Sequence, residues 1–237
     1  MLYSQEQDSF GGTFDKAQSF VGMILRRAHV GQNFTGNMLV FPEETPVSHF
    51  RSFVPSQNLG AVTVCLRYFT DLTREFSFFS SSTRTFSDEF LIYKMSARDE
   101  INVRIKDVDT IFTGQDFQIN RWQSLCTTWE AASGVVQLWI DGKPSTIKSA
   151  SKANIMESMI IVIGQDQDTN GSGFDQAQSF VGMVSDVNMW NYVLSPHQID
   201  CYSRKCNFTV GNLLNWKSMD FQIVERVLIQ KEQNNCE

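Results

Sequence analysis

Several chemistries are missing from this chain of 237 residues. No apolar run approaches the roughly eighteen residues that a membrane-spanning helix needs, so membrane insertion is not expected. The formal charge is −6 and no Lys/Arg-rich run interrupts it, which argues against specificity for nucleic acid. Neither C-x-x-C nor a paired Cys/His spacing occurs, so structural zinc has no support. There is no H-E-x-x-H and no G-x-S-x-G elbow, since Thr169–Gly173 reads TNGSG. The three histidines, His29, His49 and His197, lie in unrelated polar contexts and are expected at the surface. With no catalytic constellation left, the chain is not expected to be an enzyme.

What is present is β-structure. Length allows one large domain, and a hydrophobic content of 42% with 19 phenylalanines supplies an ample core. MLVF, AVTVCLRYF, FSFF, FLIYKM, INVRI, WQSLCTTW, VVQLWI and MIIVI are short runs rich in β-branched and aromatic residues. Asp141-Gly142 after VVQLWI signals a type I′ hairpin turn, because Gly adopts positive φ freely. One helix is predicted near Ser195–Tyr202, where Ser195 is a plausible N-cap, Pro196 fits the first turn and Gln198 completes a capping box. The fold class is therefore all-β: a two-sheet antiparallel sandwich with one short helix.

The chain is organised around Gly164–Gly182, GQDQDTNGSGFDQAQSFVG. Asp166, Asp168 and Asp175 stand there with Gln167, Asn170 and Gln178, loosened by glycine. Carboxylates so close repel unless a cation sits among them. Hard oxygen ligands on a flexible loop suit Ca²⁺, which takes about six to eight oxygens. A polar surface turn of Asp, Asn and Gly is the plainer alternative. The stretch is not an EF-hand: the position of the bidentate Glu is Ala177, and both flanks are β-type.

The first residues repeat this loop. Ser4–Met23 aligns with Gly164–Met183 at an offset of 160, with 13 of 20 positions identical. Residues 1–29 therefore look like a duplicated fragment of the calcium-loop segment, without the strands that would hold it, and a disordered or loosely docked tail is expected. The domain proper is expected over 30–237. The N-terminus has neither the basic nor the apolar region of a signal peptide. Sequons at Asn33, Asn170 and Asn207 nonetheless suggest an oxidising compartment. Among the five cysteines, Cys201 and Cys206 are near enough to pair locally, leaving Cys236 to bridge chains, but spacing leaves the connectivity open.

The Gly164–Gly182 loop resembles the calcium loop of the pentraxins, as do DVNMWNYVLSPHQI, WIDGKP at Trp139–Pro144 and NLLNW at Asn212–Trp216. The likeness covers Val30–Glu237, one pentraxin domain. It implies a lectin-like jelly roll with its helix on the face opposite calcium, and a disulfide between Cys65 and Cys126. Closing a loop of about sixty residues contributes roughly 4 kcal/mol on the chain-entropy model. The resemblance also implies a double-calcium site using Asp166, the carbonyl of Gln167, Asp168, Asp175 and Gln178, with Asp88 from SDEFLIYK. Ser87 stands where the family has a carboxylate, which weakens the second ion. SLCTTWEA departs from the family signature at Ser124 and Ala131 and keeps Cys126, Thr128 and Trp129.

Beside the calcium, the positions of a phosphocholine pocket are Tyr93, Arg104 and Asp109. Tyr93 and Asp109 keep the logic of a ring and an anion facing a quaternary ammonium, whereas Arg104 places a cation there. The resemblance implies a secreted, calcium-dependent pattern-recognition protein of innate immunity and the acute phase. Its ligands would be phosphocholine-like, phosphate-bearing or anionic glycans, its partners of complement or Fc-receptor type, and its assembly a homo-pentamer or other ring. The alternatives are a laminin-G-like glycan or protein adhesion module and, further off, a jelly-roll glycoside hydrolase.

Overall fold

A computed structural model describes residues 27–232. The strands in chain order are β1 (Arg27–Gln32), β2 (Asn37–Phe41), β3 (His49–Val54), β4 (Ala61–Phe69), β5 (Phe76–Ser82) and β6 (Phe90–Lys94). They continue with β7 (Ile101–Ile105), β8 (Val108–Phe112), β9 (Gln123–Glu130), β10 (Val135–Ile140), β11 (Lys143–Pro144) and β12 (Lys148–Ser149). The last five are β13 (Met159–Ile163), β14 (Gly182–Trp190), β15 (Leu214–Asn215), β16 (Met219–Val224) and β17 (Leu228–Lys231). One α-helix, α1 (Pro196–Ser203), lies between β14 and β15.

Two antiparallel sheets form. The first runs β1-β16-β3-β13-β5-β6-β7-β8, and the second β11-β10-β9-β4-β14-β2-β17, with β12 and β15 alongside β10 and β14. Every predicted strand is present. β3, β8, β16 and β17 were not read from sequence, because HFRSFV and VDTIF mix charge into short runs and LIQK is exposed throughout. β1 crosses the boundary drawn at residue 30 by pairing Arg27 with Ile223 and His29 with Phe221. The rest of the duplicated N-terminal fragment, through Arg26, lies outside the described residues.

Strand alternation sorts side chains between core and outer faces. In β6 and β7, Phe90, Ile92, Ile101, Val103 and Ile105 point into the core between the sheets. Leu91, Tyr93, Asn102 and Arg104, one residue out of phase, therefore line the outer face of the first sheet. The Asp141-Gly142 turn has φ of 49° and 74°, the two positive values of a type I′ hairpin joining β10 to β11.

The outer face of the second sheet is covered by α1. Ser195 caps the helix: its hydroxyl accepts from the Gln198 backbone N–H at 3.3 Å, and the Gln198 side chain accepts from the Ser195 N–H at 2.8 Å. Ile199 and Tyr202 bury their side chains against Trp139, Trp190 and the Cys65–Cys126 disulfide. That bond joins directly paired residues of β4 and β9, with Cα atoms 4.1 Å apart. Cys201 and Cys206 are free thiols at the end of α1. No helix among the described residues is long and apolar enough to cross a membrane.

Candidate functional site

The Gly164–Gly182 segment connects β13 of the first sheet to β14 of the second and folds back over the outer face of the first. Its neck closes where the Phe180 N–H donates to the Gly164 carbonyl at 3.0 Å. Gly164 has φ of 98°, and a Cβ there would stand 2.3 Å from the Phe41 ring, so only glycine fits. At the tip, Thr169 and Ser172 exchange backbone hydrogen bonds of 3.1 Å around Asn170-Gly171. Asp175 caps a 3-10 turn over Gln176–Gln178 by accepting from the Ala177 N–H at 2.9 Å.

The loop is held down by glutamines. Gln167 is fully buried: its Nε2 donates to the Ser80 and Ile160 carbonyls at 3.1 Å, and its Oε1 accepts from Ser82 Oγ at 2.8 Å and the Gly171 N–H at 3.0 Å. Its side chain is an anchor, which leaves only its backbone carbonyl for the expected ligand role. Gln165 Nε2 ties the segment to Thr45 and Ser48 carbonyls at 2.6 and 3.1 Å. Sequence reasoning passed over Gln165, Ser80 and Ser82. The serines in FSFFSSS carried a signal, because Ser80 and Ser82 share one strand face.

The carboxylates lie unevenly. Asp166 and Asp88 are buried, at 7% and 6% exposure, while Asp168 and Asp175 are exposed. Burial first, and then the charges of Asp88 and Asp168, push the Asp166 carboxyl up to about 7. Burial also raises Asp88, against the pull of Arg104. Gln178 hydrogen-bonds the Tyr93 hydroxyl, and its Oε1 is buried without a hydrogen-bond partner. Ser87 is half-buried beside Asp88. Among the described residues, no three His, Cys, Asp or Glu side chains are gathered tightly enough to hold a metal ion as they stand.

The donor set still fits calcium. The two arms of the loop and the turn before β6 carry carboxylate, amide and carbonyl oxygens, without a sulfur or imidazole among them. The buried Gln178 Oε1 is an acceptor without a hydrogen-bond partner.

Tyr93, Arg104 and Asp109 come together differently from a choline pocket. Tyr93 is 7% exposed, so little of its ring is open to a ligand. Arg104 pairs across the strands with Leu91 on one side and Asp109 on the other. Its Nη1 donates to Asp88 Oδ2 at 2.6 Å, and its Nε to Asp109 Oδ1 at 2.6 Å. Asn102 Nδ2 donates to the same Asp109 oxygen. Arg104 holds the Asp109 carboxyl below the usual carboxylate range. Asn102 and Asp107, whose carboxylate accepts from the Asp88 N–H at 3.3 Å, were not foreseen.

His49 corrects the expectation of surface histidines. It is 6% exposed, its Nδ1 lies 2.7 Å from the Val47 carbonyl, and its ring packs 4.7 Å from that of Phe174 in the loop. The loop lying over the outer face, through Phe174, helps to bury it. His197 sits on α1 with Nε2 3.7 Å from Cys201 Sγ.

The Pentaxin family model matches residues 37–231. The chain belongs to the pentraxin family. This pentraxin is 33% identical to a C-reactive protein of Sus scrofa over 88% of its own length and 93% of the relative's. It is 37% identical to a C-reactive protein of Cavia porcellus, covering 85% and 90%, and 35% identical to the serum amyloid P-component of Mus musculus, covering 87% and 92%. In fold it matches a heptameric SAP-like pentraxin from Limulus polyphemus with a TM-score of 0.78, at 20% identity over 86% of this chain and 99% of that one. The two-sheet antiparallel sandwich, with one α-helix among the described residues, is thus the pentraxin jelly roll.

Proposed function

We propose that this pentraxin is a secreted, calcium-dependent binding protein, not an enzyme, that captures phosphate-bearing or anionic ligands such as those of microbial or damaged-cell surfaces. The observation that supports this reading is the set of Asp88, Asp166 and Asp168, whose charges act on one another, with an unpartnered buried Gln178 Oε1 on the second arm of the loop. Partly buried acids that repel one another are relieved when a cation binds among them.

Asp166, Asp168 and the Gln167 carbonyl would serve from the first arm of the loop, Asp175 and Gln178 from the second, and Asp88 from the connection before β6. Bound calcium supplies open coordination positions to ligand oxygens. The residues' own part is to fix the donors: Gln167 and Gln165 pin the first arm to the sheet, and the Asp175 cap and the Tyr93–Gln178 bond shape the second. Ser87 adds no carboxylate, so the second ion of the family's pair binds more weakly. A ring of copies would multiply modest single-site affinity by about 10² to 10⁴ where geometry permits. Complement or Fc-receptor type partners would then meet the opposite, α1-bearing face. The duplicated N-terminal fragment is read as dispensable for the site.

The test is retention on an immobilised phosphate-ester column. The protein should bind in calcium and elute in chelator, and Asp168→Asn should weaken calcium binding and retention together. Chelation should open Asn170–Asp175 to protease, and calcium should protect it. Retention indifferent to chelator, with Asp168→Asn behaving as the parent, overturns the reading.

A further inference from the structure

The C-terminal end of α1 sets two cysteines side by side. The helix ends in a Schellman cap: the Lys205 N–H donates to the Tyr202 carbonyl at 3.1 Å, and the Cys206 N–H to the Cys201 carbonyl at 2.8 Å. Lys205 takes the left-handed conformation that the cap requires, with φ of 55°. Such a cap brings the third residue from the helix end against the residue two past the cap position, a contact that apolar side chains ordinarily make. Here those residues are Cys201 and Cys206, and their thiols lie in hydrogen-bond contact. We propose that Cys201 and Cys206 form a thiol–disulfide exchange site: a small disulfide of the glutathione class oxidises them to a bond that staples the end of α1, and mild reductant opens it again while Cys65–Cys126 stays closed. The inference is independent of the calcium reading.

The chain on both sides holds Cys206 in that place. Before it, Lys205 Nζ pairs with Glu232 at 2.6 Å and stands 3.9 Å from Asp186, contacts that offset the cost of a left-handed lysine. After it, Phe208 packs edge-on to Tyr202, with ring centroids 5.0 Å apart. The bond therefore closes between side chains that the cap has already brought together.

Access separates this pair from the other. Cys65 and Cys126 are 0% and 2% exposed, and their bond lies beneath Ile199 and Tyr202. Cys201 is half-buried and Cys206 exposed, so a dissolved thiol or disulfide reaches sulfur at the end of α1 and not under it. Oxidation takes two exchanges. The Cys206 thiolate attacks one sulfur of glutathione disulfide, which forms a mixed disulfide and releases a glutathione thiolate that takes up the proton Cys206 gave. The Cys201 thiolate then attacks the Cys206 sulfur, forming the protein bond and releasing the second glutathione, protonated in its turn. Both protein thiols are oxidised, and the small disulfide is reduced to a pair of thiols.

The experiment incubates the full-length protein with glutathione disulfide, alkylates the remaining thiols and maps tryptic peptides without reduction. Trypsin cuts after Arg204 and Lys205, so the bond should appear as a Cys201 peptide joined to a Cys206 peptide. In native buffer, half-opening of this bond should need at least about tenfold less dithiothreitol than half-opening of Cys65–Cys126. Cys201→Ser should leave glutathione trapped on Cys206, because no second thiol remains to release it. Cys206→Ser should lose the readily reduced bond and keep Cys65–Cys126. Near-ultraviolet circular dichroism checks the fold of each variant, and Cys206→Ser, changed at an exposed position, carries the test if Cys201→Ser does not fold. Absence of the joined pair overturns the proposal, as does a bond from Cys201 or Cys206 to Cys236 in its place. So does a lasting glutathione adduct on Cys206 of the wild type, a readily reduced bond retained in Cys206→Ser, or opening of both bonds at one reductant concentration.

Discussion

Two acids on opposite faces of the sandwich set a structural carboxylate beside a proposed calcium ligand. Asp166 lies under the loop on the first sheet, and Asp186 lies beneath the end of α1 on the second. Burial is the largest cause raising both. Around Asp186 the chain supplies the cation: Lys205 Nζ stands 3.9 Å away and also binds Glu232 at 2.6 Å. Its backbone has a joint's geometry, with φ of 53° in the β14 bulge and a carbonyl that accepts from Tyr202 Oη and Asn188 Nδ2 at 2.8 Å. Around Asp166 the neighbours are more acids, and the nearby Arg104 is already committed to Asp88 and Asp109. Burial of a carboxylate is therefore not the mark of a site. The shortfall of positive charge around Asp166 is what supports the calcium role proposed for it.

The comparison can be pressed first at the scaffold. Cys65 pairs with both Cys126 and Asn188, so the disulfide sits under the α1 face and far from the loop. Replacing both cysteines by alanine should lower stability by about 2–5 kcal/mol in thermal or denaturant unfolding. Calcium affinity of the still-folded protein, measured at low temperature, should change less than about twofold, because a tenfold change would need ~1.4 kcal/mol at the loop itself. A calcium site lost along with the disulfide would mean that the two faces are not independent.

The next largest effect should divide the two acids. Asp166→Asn should weaken calcium binding about tenfold or more in a calorimetric titration, by removing one charge from a desolvated ligand set. Asp186→Asn should leave it unchanged. Equal losses would erase the distinction drawn between them.

The smallest effect concerns pH. Asp186 titrates above the ordinary carboxylate range when folded. The folded state therefore holds that proton more tightly than the unfolded chain does. Its contribution to stability is full below the ordinary carboxylate range and is lost as pH rises through the raised value. Lys205, Arg67 and Lys217 moderate the shift and Glu232 adds to it. Asp186→Asn should flatten the decline. Denaturant midpoints of the two proteins across pH 4 to about 8 check the sign; a decline that persists unchanged in Asp186→Asn assigns it to other groups.

Much of this protein was legible in its residues because the information is local. Alternating apolar runs marked the inner strands, Asp141-Gly142 marked its hairpin and Ser195-Pro196 with Gln198 marked the helix start. Each of these depends on backbone preferences within a few residues. β3 and β16 escaped notice because their partners supply their burial: Phe50 pairs with both Ile163 and Ile223, which come from distant parts of the chain. The acidic loop was equally plain as a run of Asp, Asn and Gln side chains.

Only the tertiary structure decided what those oxygens face. Gln167 became an anchor because Ser80, Ser82 and Ile160 come beneath it. Arg104 became a clamp because antiparallel register sets it opposite Asp109 while the turn before β6 brings Asp88 within reach. Sequence determines which groups are available and the strand phase that turns them outward. Charge pairing falls off over a few ångströms, and residues 88, 104, 109 and 166 acquire those distances only when β6–β8 pair in register and the loop folds over the first sheet.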